Sequence, residues 1–116
     1  MSWTFEDICR QTVRTPAFPT TCSRVGRWWY DGDEIDIAGV NPDTETLLLS
    51  ECKWTIEPIG TELFESLESL EPSVRWHGTD RTVQYALFSK RGFTETIRAT
   101  ARRRDDLSLY TPSECL

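Results

Sequence analysis

The sequence predicts an α/β domain: one mixed β-sheet with helices packed on it, formed by residues 1–116 as a single unit. Two observations lead there. The hydrophobic period switches back and forth between about 3.6 and 2 residues along the chain. Turn signals, Pro16, Pro19, Asp31-Gly32 and Asn41-Pro42-Asp43, fall between the periodic stretches. The length of 116 residues is about one domain's worth and suffices for a core without staples.

The elements follow in order. Residues 3–14 space Phe5, Ile8, Cys9 and Thr12 at helical intervals, with Ser2 or Thr4 as the cap. Ser23 to Tyr30 reads as a strand, and Asp31-Gly32 turns it into a hairpin. Glu34 to Val40 alternates acid and apolar residues, as a strand with two unlike faces does. Thr46 to Trp54 is a third strand with Leu47-Leu48-Leu49 as its buried stretch. Gly60 to Leu70 is an amphipathic helix, Leu63, Phe64, Leu67 and Leu70 opposing Glu62, Glu65 and Glu68. Val83 to Ser89 is a fourth strand, Phe93 to Arg104 a basic helix, and Leu107 to Tyr110 a closing strand.

Composition removes several classes of function. No apolar run approaches the ~20 residues of a membrane span, and the first residues lack the pattern of a secretory signal. The expected location is therefore cytoplasmic. Cys9, Cys22, Cys52 and Cys115 form no CxxC, and His77 is the lone histidine, so neither a structural zinc site nor a disulfide framework is expected. The net charge of −6 argues against nucleic acid only as an average. Residues 1–74 carry five basic against fourteen acidic side chains. Residues 75–104 carry eight basic side chains against Asp80 and Glu95. Lysine is scarce, Lys53 and Lys90 against eleven arginines, so each lysine asks why arginine would not serve. Acid-rich, lysine-poor surfaces also suit proteins that stay soluble in high salt.

The candidate chemistry lies on the second and third strands. Period two sets Glu34 and Asp36 on one face of their strand and Glu51 and Lys53 on one face of the next. With the register aligned, facing β-carbons lie ~4.5–5.5 Å apart. Two carboxylates and an ammonium then converge near mid-sheet, which is costly unless a divalent cation sits between the acids. Mg²⁺ or Mn²⁺ suits such hard oxygen donors and commonly binds with substrate phosphates. The alternatives are a solvated acidic face, which is the reading preferred for Glu34, and a cross-strand Glu51–Lys53 ion pair.

The segment Glu34-Ile-Asp36 followed by Glu51-Cys-Lys53 resembles the D…E-x-K signature of the PD-(D/E)XK, or restriction-endonuclease-like, nuclease superfamily. Phe5-Glu6, Arg24-Val-Gly-Arg-Trp-Trp29, Glu51-Cys-Lys-Trp54, Ile59-Gly60 and Phe88-Ser-Lys-Arg-Gly-Phe93 extend the likeness. Together they resemble the nuclease-like C-terminal domain of a group of archaeal AAA-type ATPases, a domain of unknown function. The resemblance implies a core in the order αβββαβ, here with a C-terminal helix and strand added. It implies a metal-dependent DNA endonuclease, with Asp36, Glu51 and the Cys52 carbonyl as metal ligands and Lys53 as the catalytic lysine. Glu6 matches an additional acid on the first helix of resolvase-like members; otherwise it is a solvent-facing glutamate at a helix start. Lys90 and Arg91 in one turn, and Arg98, Arg102 and Arg103 on the last helix, are the candidate phosphate contacts, a solvated face being the alternative for the helix.

The partners this implies are DNA, a second copy of the chain and an AAA-type ATPase. The upstream ATPase and winged-helix portions are absent from the sequence, which reads as a free-standing relative or an excised domain. The glutamates of the Gly60–Leu70 helix, with Glu71, repel phosphate and favour a rival reading: a non-catalytic domain that keeps the fold for dimerisation or docking. Trp28 and Trp29 face opposite sides of their strand and read as core. His77 reads as structural or as a proton carrier.

Overall fold

In the computed structural model, residues 5–14, 22–30, 32–54, 57–74 and 81–111 are described. The chain runs α1 (Phe5–Arg14), β1 (Arg24–Tyr30), β2 (Asp33–Asn41), β3 (Thr46–Lys53), α2 (Thr61–Leu70), a 3₁₀ turn (Glu71–Ser73), β4 (Thr82–Ser89), α3 (Glu95–Arg103) and β5 (Leu107–Tyr110). The sheet order is β1-β2-β3-β4-β5. β1, β2 and β3 form an antiparallel meander, whereas β3, β4 and β5 are parallel. Parallel neighbours need a crossover, which α2 and α3 supply. The mixed α/β sheet expected from the two periodicities is therefore present, with every strand close to its predicted limits.

The sheet is covered on both faces. On one, Phe64 and Leu67 of α2 and Ile97 of α3 pack on Ile35, Leu47, Leu49, Tyr85 and Leu87. On the other, Cys9 and Val13 of α1 pack on Ile37, Leu48, Ala86 and Phe88. This explains the unbroken Leu47-Leu48-Leu49 run: a strand buried on both sides has no polar face. The meander is shaped by its turns. Gly32 takes φ +86 in the first hairpin. In the second, the Asn41 carboxamide accepts from the backbone N–H of Asp43 at 3.0 Å.

Helix ends follow from local chemistry. The Thr94 hydroxyl accepts from the N–H of Ile97 and caps α3. Pro72 stands at the start of the 3₁₀ turn that ends α2, a turn the periodicity alone did not predict. The Arg81 guanidinium, 4% exposed, donates to the Val74 carbonyl at 2.6 Å and to the Glu71 carbonyl at 2.7 Å. It thereby ties the 3₁₀ turn after α2 to the start of β4. The Ser2 and Thr4 caps, the Pro16–Pro19 loop, Asp31, Trp76, His77 and Cys115 lie outside the described residues, as do the side chains of Glu6 and Trp29.

Candidate active site

Asp36 occupies an irregularity on both sides of β2. Toward β1 the register shifts between Gly26↔Ala38 and Trp28↔Ile35, so Asp36 and Ile37 together face Arg27. That is a β-bulge, and its effect shows in the core. Ile35 packs on the α2–α3 face while Ile37, two residues on, packs on the α1 face. A regular strand would send both to one side. The bulge overturns the expectation that Glu34 and Asp36 share a face. Glu34 is exposed to water, as a solvated position should be. Asp36 is half-buried and re-aimed toward β3, the kind of displacement that bulges beside active sites produce.

Toward β3 the ladder ends at Ile37↔Ser50. Continuing that register sets Asp36 across from Glu51. Instead of a backbone carbonyl, the Asp36 carboxylate takes up the next donor: Cys52 N–H gives a 3.0 Å hydrogen bond to Asp36 Oδ2. The side chain thus substitutes for the ladder at the point where the strands part.

Glu51 keeps the alternation of β3, following Leu47 and Leu49 on the α2–α3 face, and is only 9% exposed. Burial, then a hydrogen bond to Asp36, then the charge of Asp36 push its carboxyl up to about 9, against a smaller lowering by Lys53. At neutral pH Glu51 thus keeps its proton against the neighbouring acid. Such crowding is relieved by a proton or by a cation. Lys53 shares the face of Glu51 two residues on and is half-buried. The three residues picked from the sequence, Asp36, Glu51 and Lys53, come together.

The surroundings converge at the C-terminal ends of parallel β3 and β4, where open α/β sheets bind their ligands. Lys90 N–H donates to the Lys53 carbonyl at 3.1 Å. Ile59 bridges Phe93, with Ile59 N–H to Gly92 O at 3.0 Å and Thr94 N–H to Ile59 O at 2.9 Å. This ties the N-termini of α2 and α3 together beside the ends of both strands, a placement that favours negative charge. Gly92, φ +86, makes the turn that returns the chain from Lys90 and Arg91 to α3. The Ser89 hydroxyl, paired in register with Lys53, is fully buried with no hydrogen-bond partner among the described residues.

Of the predicted phosphate contacts, Lys90 and Arg91 lie at this end and are exposed. The α3 arginines are spent differently. Arg98 donates to the Phe93 carbonyl at 3.1 Å, Arg102 pairs with Glu95 at 2.5 Å, and Arg103 donates to the Thr100 hydroxyl at 3.4 Å. Arg102 and Arg103 stand in the last turn of α3, away from the carboxylate pair. Sequence reading missed the exposed Trp54 beside the site; its position directly after Lys53 was the available signal.

A divalent metal suits the two carboxylates and the Cys52 carbonyl as a hard-oxygen donor set, and the crowded Asp36–Glu51 pair is what such an ion relieves. Among the described residues no group of three or more His, Cys, Asp or Glu side chains is arranged to hold a metal, so carbonyl and water oxygens would complete the shell. Among those residues, too, no helix is long and apolar enough to cross a membrane.

No solved structure matches the chain. An uncharacterized protein of Methanocaldococcus jannaschii, MJECL04, is 28% identical over 58 residues. That match covers 47% of this chain and only 13% of the relative, so the chain spans a small part of that protein's length. The matching family model covers residues 1–62, from α1 through the bulge at Asp36 and the Glu51-Cys-Lys53 strand to the start of α2. The chain belongs to that family, DUF234, archaea bacterial proteins of unknown function.

Proposed function

We propose that this is a restriction-endonuclease-like domain that hydrolyses DNA phosphodiester bonds with a divalent metal, Mg²⁺ or Mn²⁺. The observation that carries the reading is the meeting of Asp36, Glu51 and Lys53 where β2 bulges and its ladder to β3 ends. Structural ion pairs do not need a broken ladder and a carboxyl held neutral by burial.

Asp36, Glu51 and the Cys52 carbonyl would hold the metal, which when bound supplies an activated water and neutralises phosphate charge. The protein's own residues do the rest. The Cys52 N–H fixes one Asp36 oxygen, which orients the other. Lys53 sets a positive charge where the phosphorane develops negative charge. Lys90 and Arg91, with the two helix N-termini, favour the approach of the nucleic-acid backbone. The order αβββαβ with its three-strand meander is the one the resemblance implies, which supports this finer reading of the fold.

The test is cleavage of supercoiled and branched DNA with Mg²⁺ or Mn²⁺. Asp36→Ala and Lys53→Ala should each lower the rate by about 10²–10³ or more. Equal activity in the parent and both variants would refute the proposal.

One observation favours a second reading, a non-catalytic domain that docks a partner such as an AAA-type ATPase or a second copy. Glu62 and Glu65 on the first turns of α2 are exposed near the site end, where they repel DNA. Calorimetry separates the two. Heat of Mg²⁺ or Mn²⁺ binding that Asp36→Ala abolishes supports the nuclease, and no uptake at millimolar metal supports docking.

A further inference from the structure

We infer that Trp54 is a stacking platform for an unpaired base, which makes single-stranded or frayed DNA the strand this site accepts. The inference rests on the nuclease reading and names its substrate class. Trp54 is 57% exposed and follows Lys53 directly, at the end of β3. A tryptophan left so open in a chain that buries both faces of its sheet is the unusual feature, because an indole gains so much by burial. The ammonium of Lys90 sits 4.3 Å from its ring centroid. The backbone N–H of Lys90 donates to the Lys53 carbonyl at 3.1 Å, which ties the turn that carries this ammonium to the strand end that carries Lys53 and Trp54.

The occupant follows from the chemistry of that edge. Among the described residues no other large hydrophobic side chain is exposed, so those residues present no apolar patch of the size a protein interface centres on. The group that touches the indole is cationic, the Lys90 ammonium, and Arg91 is exposed on the same turn, with Glu62 and Glu65 set apart on α2. A flat aromatic face set among cations fits a polymer with flat bases and an anionic backbone. A duplex hides its base faces in the stack, so only an unpaired strand, a frayed end or a junction arm can present one to Trp54. The strand that lays a base there brings its backbone past Lys90 and Lys53 to the carboxylate pair.

The experiment measures binding apart from cleavage, in EDTA at low salt, by fluorescence anisotropy. The probes are a labelled oligothymidylate and a blunt duplex of equal length. Trp54→Ala should weaken the oligothymidylate about tenfold or more, while duplex binding is unchanged and Trp54→Phe keeps most of the affinity. Equal oligothymidylate affinity in the parent and Trp54→Ala, or equal losses on both probes, overturns the platform. So does a parent chain that binds neither probe. The two proposals fail separately. Asp36-dependent cleavage with no Trp54 effect on binding removes the platform and leaves the nuclease. A Trp54-dependent grip on oligothymidylate without Asp36-dependent cleavage does the reverse.

Discussion

Where α2 and α3 end, acids meet arginines. Glu71 lies 3.0 Å from Arg81, Glu68 lies 3.0 Å from Arg104, and Asp106 lies 2.8 Å from Arg104. The Arg104 guanidinium also covers the Phe64 ring at 4.7 Å, which clamps α2 to the start of β5. Where the same helices begin, Asp36 and Glu51 meet each other, and the half-buried Lys53 stands beside them. One end uses charge as a fastener. The other packs two acids against each other with one of them buried, a local conflict that the proposed metal site would account for.

The comparison can be broken first at the fastened end. Arg81→Ala should cost roughly 3 kcal/mol, because it strips a buried cation from two carbonyls and the Glu71 carboxylate. Denaturant unfolding reads this as a lower midpoint with an unchanged slope. Metal-dependent cleavage should persist in the fraction that remains folded. A loss confined to activity would show that Arg81 belongs to the site and not to the scaffold.

The unfastened end should respond with the opposite sign. The folded-state value for Glu51, about 9, stands above the ordinary glutamate value of 4.5. Below pH 4.5 both folded and unfolded chains carry the proton, and the group contributes nothing. As pH rises toward 9 the unfolded chain ionises while the folded one stays protonated, so stability falls steadily across that window. Glu51→Gln keeps a hydrogen bond to Asp36 without this cost. Its unfolding free energy at pH 8 should exceed the parent's by on the order of 1–3 kcal/mol, and the gap should close by pH 4. Mg²⁺ should stabilise the parent and leave Glu51→Gln unmoved. A variant less stable than the parent at pH 8 would mean that Glu51 is ionised and paired, as the fastened acids are.

This contrast sets what was legible in the sequence. Leu47-Leu48-Leu49, the Asp31-Gly32 turn signal and the glutamate-faced α2 declare themselves through period and turn chemistry, so the order of elements follows from local signals. Asp36, Glu51 and Lys53 were legible as residue types at a spacing. The bulge was not: Ile35-Asp36-Ile37 has the letters of a regular alternation, and only the packing of the two isoleucines on opposite faces reveals the extra residue. The roles of the arginines were equally hidden. Arg81 and Arg104 belong to the same basic stretch as Arg91, yet the first two tie down α2 and Arg91 lies exposed at the site end. Charge along a chain does not say which acids the fold will bring to meet it.

The smallest effect is expected at Asp106. Its carboxylate takes two 2.8 Å bonds from Arg104, Nε to Oδ1 and Nη2 to Oδ2. Those hydrogen bonds hold its carboxyl below the ordinary aspartate range, against some desolvation. A lowered value stabilises the folded chain above the unfolded pKa, and the contribution disappears as pH falls through the folded one. Both partners are about a third exposed, so water and salt discount the pair, and Asp106→Asn should cost about 1 kcal/mol at pH 7. The deficit should vanish in acid, whereas the gain from Glu51→Gln appears only as pH rises. If both variants moved stability the same way with pH, the two ends would share one electrostatic design, and the case for a functional conflict at Asp36 and Glu51 would fall.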